Sequence, residues 1–376
     1  MNRLLGLELL RGVAALLVLA EHVPGVVQHA RGVEHALPSA LASFHGYWGV
    51  DLFFVLSGYL IGLTLDKPGT TARSFLLARL ARVLPLYLVA SLVCLAVPAA
   101  RASPVSGAML VTTFTLMPVA GDALNPLTAH PCGWTLCYEV AFYAVATALT
   151  ATAGRRHAVP LMVGLLGLAP LAFAAVGPAP GWDYPSFALS PFTAEFALGL
   201  LAYRLTDRLP VAAGWAFLGL GLAGCARGLA FSDIAATTLE TISDPRVGLR
   251  HVLTWGLPVA ALVLGTARLD RGDAFRRLAP LATRLGALSY PLYLTQPFAF
   301  ALAIAAGPAL GPMNAWAVAA GLVAATLALA AAVTHCVDRP LHSLAKGWAK
   351  RLSTPRQPSS ASNALTFASI RSRTLR

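Results

Sequence analysis

Charge is what this 376-residue sequence has least of: Asp, Glu, Lys and Arg together supply 12% of it. A soluble globular chain carries roughly 25%. With 57% hydrophobic residues and a mean hydropathy of +0.68, the chain cannot cover a water-facing surface. Cysteine is also sparse, at five: Cys94, Cys132, Cys137, Cys225 and Cys336. Only Cys132 and Cys137 are close together, and no His or Cys cluster around them has metal-ligand spacing, so no disulfide framework and no metal are expected. Acid is scarcer than base, which leaves a net charge of +12 and a pI near 10.0. In a soluble chain that balance suggests nucleic-acid binding. In a membrane protein excess Lys and Arg collects in cytoplasmic loops, and no nucleic-acid partner is expected.

What is present in quantity is apolar sequence. Apolar spans read at 4–27, 47–65, 83–100, 133–153, 159–176, 191–205, 211–230, 249–267, 285–306 and 315–336. The expected fold is all-α: a polytopic membrane helix bundle of about ten transmembrane helices in a lipid bilayer, with both termini cytoplasmic. Base distribution sets that orientation. Of 28 Lys and Arg, only Arg31, Arg101, Arg227, Arg246 and Arg250 fall to the outer side, and Arg11 lies within a span. The stretch 108–116 is too short to cross and is expected at the outer interface. Residues 1–345 form the transmembrane domain, and 346–376, rich in Ser, Thr, Pro, Asn and Arg, read as a basic, disordered cytoplasmic tail.

The first span sets the chemistry, because Arg11 and His22 stand inside it. Eleven residues at ~100° each come to about 20° past three turns, so the two share one helix face and lie roughly 16 Å apart along the axis. With Glu8 and Glu21 beside them, the stretch does not read as a cleaved signal peptide. Ionisable groups within a span point to a functional site. The second span enters from outside at Asp51 and the fourth carries Glu139, so His22, Asp51 and Glu139 are expected to converge on the outer side, with Asp51 orienting His22 as a general base. At the inner side Arg73, Arg79 and Arg82 precede Tyr87. Their guanidinium groups match phosphate oxygens and suggest a phosphorylated cytosolic ligand; they also suit ordinary inside charges. Two functional classes fit these residues: an enzyme, or a transporter or channel moving a small anion past Arg11 with His22 and Glu139 as a proton relay. Consumption of a thioester substrate separates them.

The chain resembles the acyltransferase-3 family of integral-membrane O-acyltransferases, and within it the exopolysaccharide acetyltransferase branch. The elements are Leu10-Arg11-Gly12 with ten residues to His22; Gly49-Val50-Asp51-Leu52-Phe53-Phe54-Val55-Leu56-Ser57-Gly58-Tyr59; Arg79 to Arg82 before Pro85-Leu86-Tyr87; Gly133-Trp134-Thr135-Leu136-Cys137-Tyr138-Glu139 with Phe142-Tyr143; Glu195-Phe196-Ala197-Leu198-Gly199; and Leu288-Ser289-Tyr290-Pro291-Leu292-Tyr293-Leu294. The chain departs from the family pattern at Gln296, where a histidine usually stands. The resemblance implies a multi-pass protein of the bacterial inner membrane that O-acetylates a cell-envelope carbohydrate with cytoplasmic acetyl-CoA. It implies Arg11 and His22 as the residues most closely tied to activity; with Asp51 and Glu139, placed near them by the topology, they are the expected catalytic set, and Arg73, Arg79, Arg82 and Tyr87 are expected around the donor. Trp134, Tyr138, Tyr290 and Gln296 are the expected acceptor contacts. Direct transfer and a covalent acyl-enzyme on His22 or Ser57 both remain open.

Overall fold

In the computed structural model, residues 4–32, 46–101, 104–117, 128–176, 184–231, 240–241 and 244–353 are described. Among them the structure is a helical bundle, and eight helices are long and apolar enough to cross a membrane. The long elements are α1 (Leu5–Arg31), α2 (Trp48–Leu65) and α3 (Ala72–Ala96), followed by the short α4 (Gly107–Thr115). Next come α5 (Gly133–Thr152), α6 (Arg155–Val176), the short α7 (Tyr184–Leu189), α8 (Pro191–Thr206) and α9 (Val211–Phe231). The last third holds α10 (Pro245–His251), α11 (Leu257–Asp270), α12 (Ala279–Ala305), the one-turn α13 (Gly307–Leu310), α14 (Ala315–Val333) and α15 (Arg339–Ser353).

Two of the ten expected spans fall outside the eight. α8 has 16 residues, and α5 is long enough but is made more polar by Glu139 and its threonines and aromatics. Both can be short or polar because they are lined by protein: α8 packs along α2, α6 and α11, and α5 along α3 and α6. Helices also outrun their apolar windows. α3 starts eleven residues before the apolar run, at a capping box in which Thr71 Oγ1 accepts from Ser74 N–H and the Ser74 side chain accepts from Thr71 N–H. The last helix is continuous over 39 residues from Ala315 to Ser353, so the boundary drawn at 345 falls inside a helix. At ~1.5 Å per residue it reaches about 58 Å, well beyond a ~30 Å hydrocarbon core. Residues 354–376 of the expected tail lie outside the described residues.

The most enclosed span is α2, with 72% of its apolar window buried. Small residues permit that. A Cβ on Gly58 would lie 2.2 Å from the Phe196 carbonyl oxygen, and one on Gly199 2.0 Å from that of Val55, so α2 and α8 touch backbone to backbone. α1 packs lengthwise against α12 and also meets α2, α11 and α14. Its first amides are capped from a distance: Leu4 has no capping side chain, and the buried Asp270 carboxylate accepts from Gly6 N–H at 2.8 Å and Leu7 N–H at 3.1 Å.

Candidate active site

The polar residues of the interior line two cavities. The one nearer the start of α1, termed inner after the expected orientation, is a slot of about 120 Å³ bounded by Arg11, Ser57, Arg79, Arg82, Glu139, Tyr143 and Tyr290, among apolar neighbours. The outer one holds about 430 Å³ and is bounded by Glu21, His22, Asp51, His251 and Gln296 together with the rings of Tyr47, Trp134, Phe192 and Phe300. Val50 and Tyr293 line both, so the cavities share a wall. Tyr293 is pinned there by a 3.0 Å hydrogen bond between its hydroxyl and that of Thr135.

α1 contributes to each cavity from one face, Arg11 to the inner and His22 to the outer. His22 Nδ1 donates to its own helix, at the Val18 carbonyl 2.7 Å away. That bond puts the proton on Nδ1 and leaves the Nε2 lone pair free to accept one. Phe300 stacks on the imidazole with 5.9 Å between ring centroids.

The expected pairing of His22 with Asp51 is corrected by this geometry. Asp51 Oδ1 accepts from His251 Nε2 at 2.5 Å, because α2 turns Asp51 toward α10 while α1 orients His22 with its own backbone. Glu139 is also displaced from the expected convergence. It lines the inner slot with Arg11, where its Oε1 accepts from Ser57 Oγ at 3.1 Å and from the Tyr143 hydroxyl one turn along α5.

The three arginines part company. Arg73 is exposed at the start of α3 and lines neither cavity. Arg79 donates from Nη2 to the Leu60 carbonyl at 2.8 Å and to Thr64 Oγ1, and its guanidinium lies over the rings of Phe75 and Tyr143. Arg82 donates from Nη1 to both oxygens of Asp338 at 3.2 Å and covers Tyr290 at 5.2 Å. Each guanidinium has five N–H donors, so both retain unspent ones. Tyr290 donates to the Val83 carbonyl at 2.7 Å. Tyr87 and Tyr138 line neither cavity: Tyr87 is buried edge-on to His130, and Tyr138 is packed among Phe54, Phe187 and Phe192. Trp134 and Gln296 do line the outer cavity, and Gln296 Nε2 donates to the Tyr293 carbonyl at 3.2 Å.

Sequence reasoning missed three residues. His251 ends α10, which Asp244 caps by accepting from Arg246 N–H at 2.8 Å, and a π turn, Val252–Gly256, follows it. Asp338 ends the second π turn, Thr334–Asp338. Such turns shift helical register by one residue and often mark sites. Glu195, fully buried on α8, stands 4.0 Å from His251 Nε2 through Oε1, and one ligand atom each of Asp51, Glu195 and His251 lies within 4.8 Å of the others. Glu195 was legible only as part of a motif. A further buried histidine, His130, donates from Nε2 to the Leu294 carbonyl at 2.8 Å and accepts from Cys132 N–H at 3.1 Å, which fixes the turn before α5.

Comparison with known proteins gives the family. A family model described as an acyltransferase domain matches residues 4–335. The exopolysaccharide production protein ExoZ of Rhizobium meliloti (strain 1021) is 29% identical over 323 residues, covering 82% of this chain and 92% of that protein. No solved structure matches significantly. A domain match over nearly the whole helical bundle leaves one conclusion: the chain belongs to the acyltransferase-3 family and is a multi-pass membrane acyltransferase.

Proposed function

We propose that the protein moves an acetyl or other small acyl group from acyl-CoA, entering from the side of Arg79 and Arg82, to a hydroxyl of an exopolysaccharide or its lipid-linked precursor, entering from the side of His22. The supporting observation is the pair of cavities with a common wall: cationic and narrow on one side, wide and aromatic-lined with a free imidazole nitrogen on the other. A narrow slot suits an extended thioester arm. A wider cavity with flat apolar rings and a few polar groups suits a sugar. The likeness to ExoZ supports the carbohydrate acceptor.

The chemistry follows from the side chains. His22 Nε2 takes the proton of the acceptor hydroxyl as its oxygen attacks the thioester carbonyl. A C–O bond forms, the C–S bond breaks, and the proton passes from His22 to the departing thiolate. Arg11, three turns from His22 and in the other cavity, holds the donor's arm in the slot. The unspent donors of Arg79 and Arg82 hold the phosphates.

Sidedness is the test. In sealed vesicles oriented with the basic clusters facing the lumen, acetyl-CoA loaded inside acylates an impermeant glycan supplied outside, and acetyl-CoA supplied only outside does not. Equal activity with external acetyl-CoA would refute the assignment of Arg79 and Arg82 to the donor's entrance.

A further inference from the structure

Among the described residues, Glu195 is the least accounted-for carboxyl group. It is 0% exposed, and neither carboxylate oxygen accepts a hydrogen bond from an amide, hydroxyl or imidazole donor. Beside it stand a second buried acid, Asp51, at 1% exposure, and the buried His251. Two carboxylates taken out of water into the middle of a helical bundle are costly unless something positive sits between them. A neutral imidazole does not supply that charge, whereas a divalent cation bound by two carboxylates and one neutral imidazole makes a cluster of zero net charge.

The local backbone leaves room for it. The three groups come from three elements, α2, α8 and the end of α10, and converge from different directions. Gly256, in the π turn after His251, faces Glu195: a Cβ there would lie 3.3 Å from Glu195 Cγ and 3.4 Å from Oε1. The glycine spares the carboxylate a crowded neighbour.

We infer that Asp51, Glu195 and His251 form a binding site for one divalent transition metal, of the zinc class. Carboxylate and imidazole donors suit that class, at roughly 2.0–2.2 Å from the ion, which sets ligand atoms about 3–3.5 Å apart. Asp51 Oδ1 and His251 Nε2, now 2.5 Å apart, open by under about 1 Å, and Glu195 Oε1, now 4.0 Å from His251, closes by a similar amount. Asp51 and His251 line the outer cavity, so water from that side completes the coordination. The site stands apart from the acyl-transfer reading: it rests on three side chains that the proposed proton transfer does not use. The expectation of no metal came from the absence of nearby His and Cys in sequence, and these ligands are about 55 to 200 residues apart.

The test uses full-length protein in detergent, freed of any polyhistidine tag, stripped with a chelator and titrated with zinc alone. Wild-type protein takes up one equivalent, and zinc raises its melting temperature. Glu195→Gln, which keeps the shape and removes the charge, binds zinc about tenfold or more weakly and loses the thermal response; His251→Gln does the same. Wild-type protein that takes up no zinc would overturn the inference and put a proton on the buried carboxyl. A Glu195→Gln variant that binds zinc as tightly as wild type would overturn it equally.

Discussion

A single backbone bond decides what His22 can do. With Nδ1 committed to the Val18 carbonyl, Nε2 is the nitrogen left to accept a proton, and in the proposed reaction replacing the ring removes that step alone. His22→Ala is expected to lower acyl transfer about 10²- to 10⁴-fold while acyl-CoA binding, measured by titration calorimetry, stays near wild type. A loss of binding equal to the loss of turnover would move His22 out of the base's role. Arg82 calls for a paired test, because Asp338 competes for it. Arg82→Ala should raise KM for acyl-CoA roughly ten- to a hundredfold. Asp338→Asn, which frees Nη1, should leave KM unchanged or lower it, whereas a purely structural ion pair would make both variants fail alike. Arg11 and His22 were legible in sequence because a polar residue stands out within an apolar run. His251 and Asp338 were not, since each sits where a span meets polar sequence, and their partners are fixed by packing between distant helices.

At the level of helices, the apolar runs coincide with each of the eight described helices long and apolar enough to cross a membrane, and two further runs fall on α5 and α8. What they missed were the places where regular helix gives way: the two π turns, the capping box that starts α3 early, and the run-on of the last helix to Ser353. Each depends on which backbone group finds a partner, and hydropathy carries no record of that. The start of α1 is the clearest case. Leu4 cannot cap, and the task falls to Asp270 at the far end of another helix. Asp270→Ala is therefore expected to cost about 1–3 kcal/mol. It should appear as a lower melting temperature in detergent, with KM for acyl-CoA unchanged at temperatures where the variant is folded.

For the whole molecule, the wall between the cavities matters to the cell as much as to the enzyme. Among the described residues Val50 and Tyr293 are what both cavities have in common, and Tyr293 is held by Thr135. On the proposed sidedness, opposite aqueous compartments reach toward that wall from each side. An enzyme built this way has to pass an acyl group while remaining an insulator, because a continuous file of water there would short-circuit the electrochemical gradient across the bilayer. Tyr293→Ala is expected to turn the protein into a leak: vesicles carrying it should collapse an imposed pH gradient faster than wild-type vesicles, independently of any substrate. If the gradient decays at the same rate in both, the seal lies elsewhere in the bundle. Membrane enzymes that react substrates across a bilayer are thus under an electrical constraint as well as a chemical one, and on the proposed reading the Tyr293 ring answers to both.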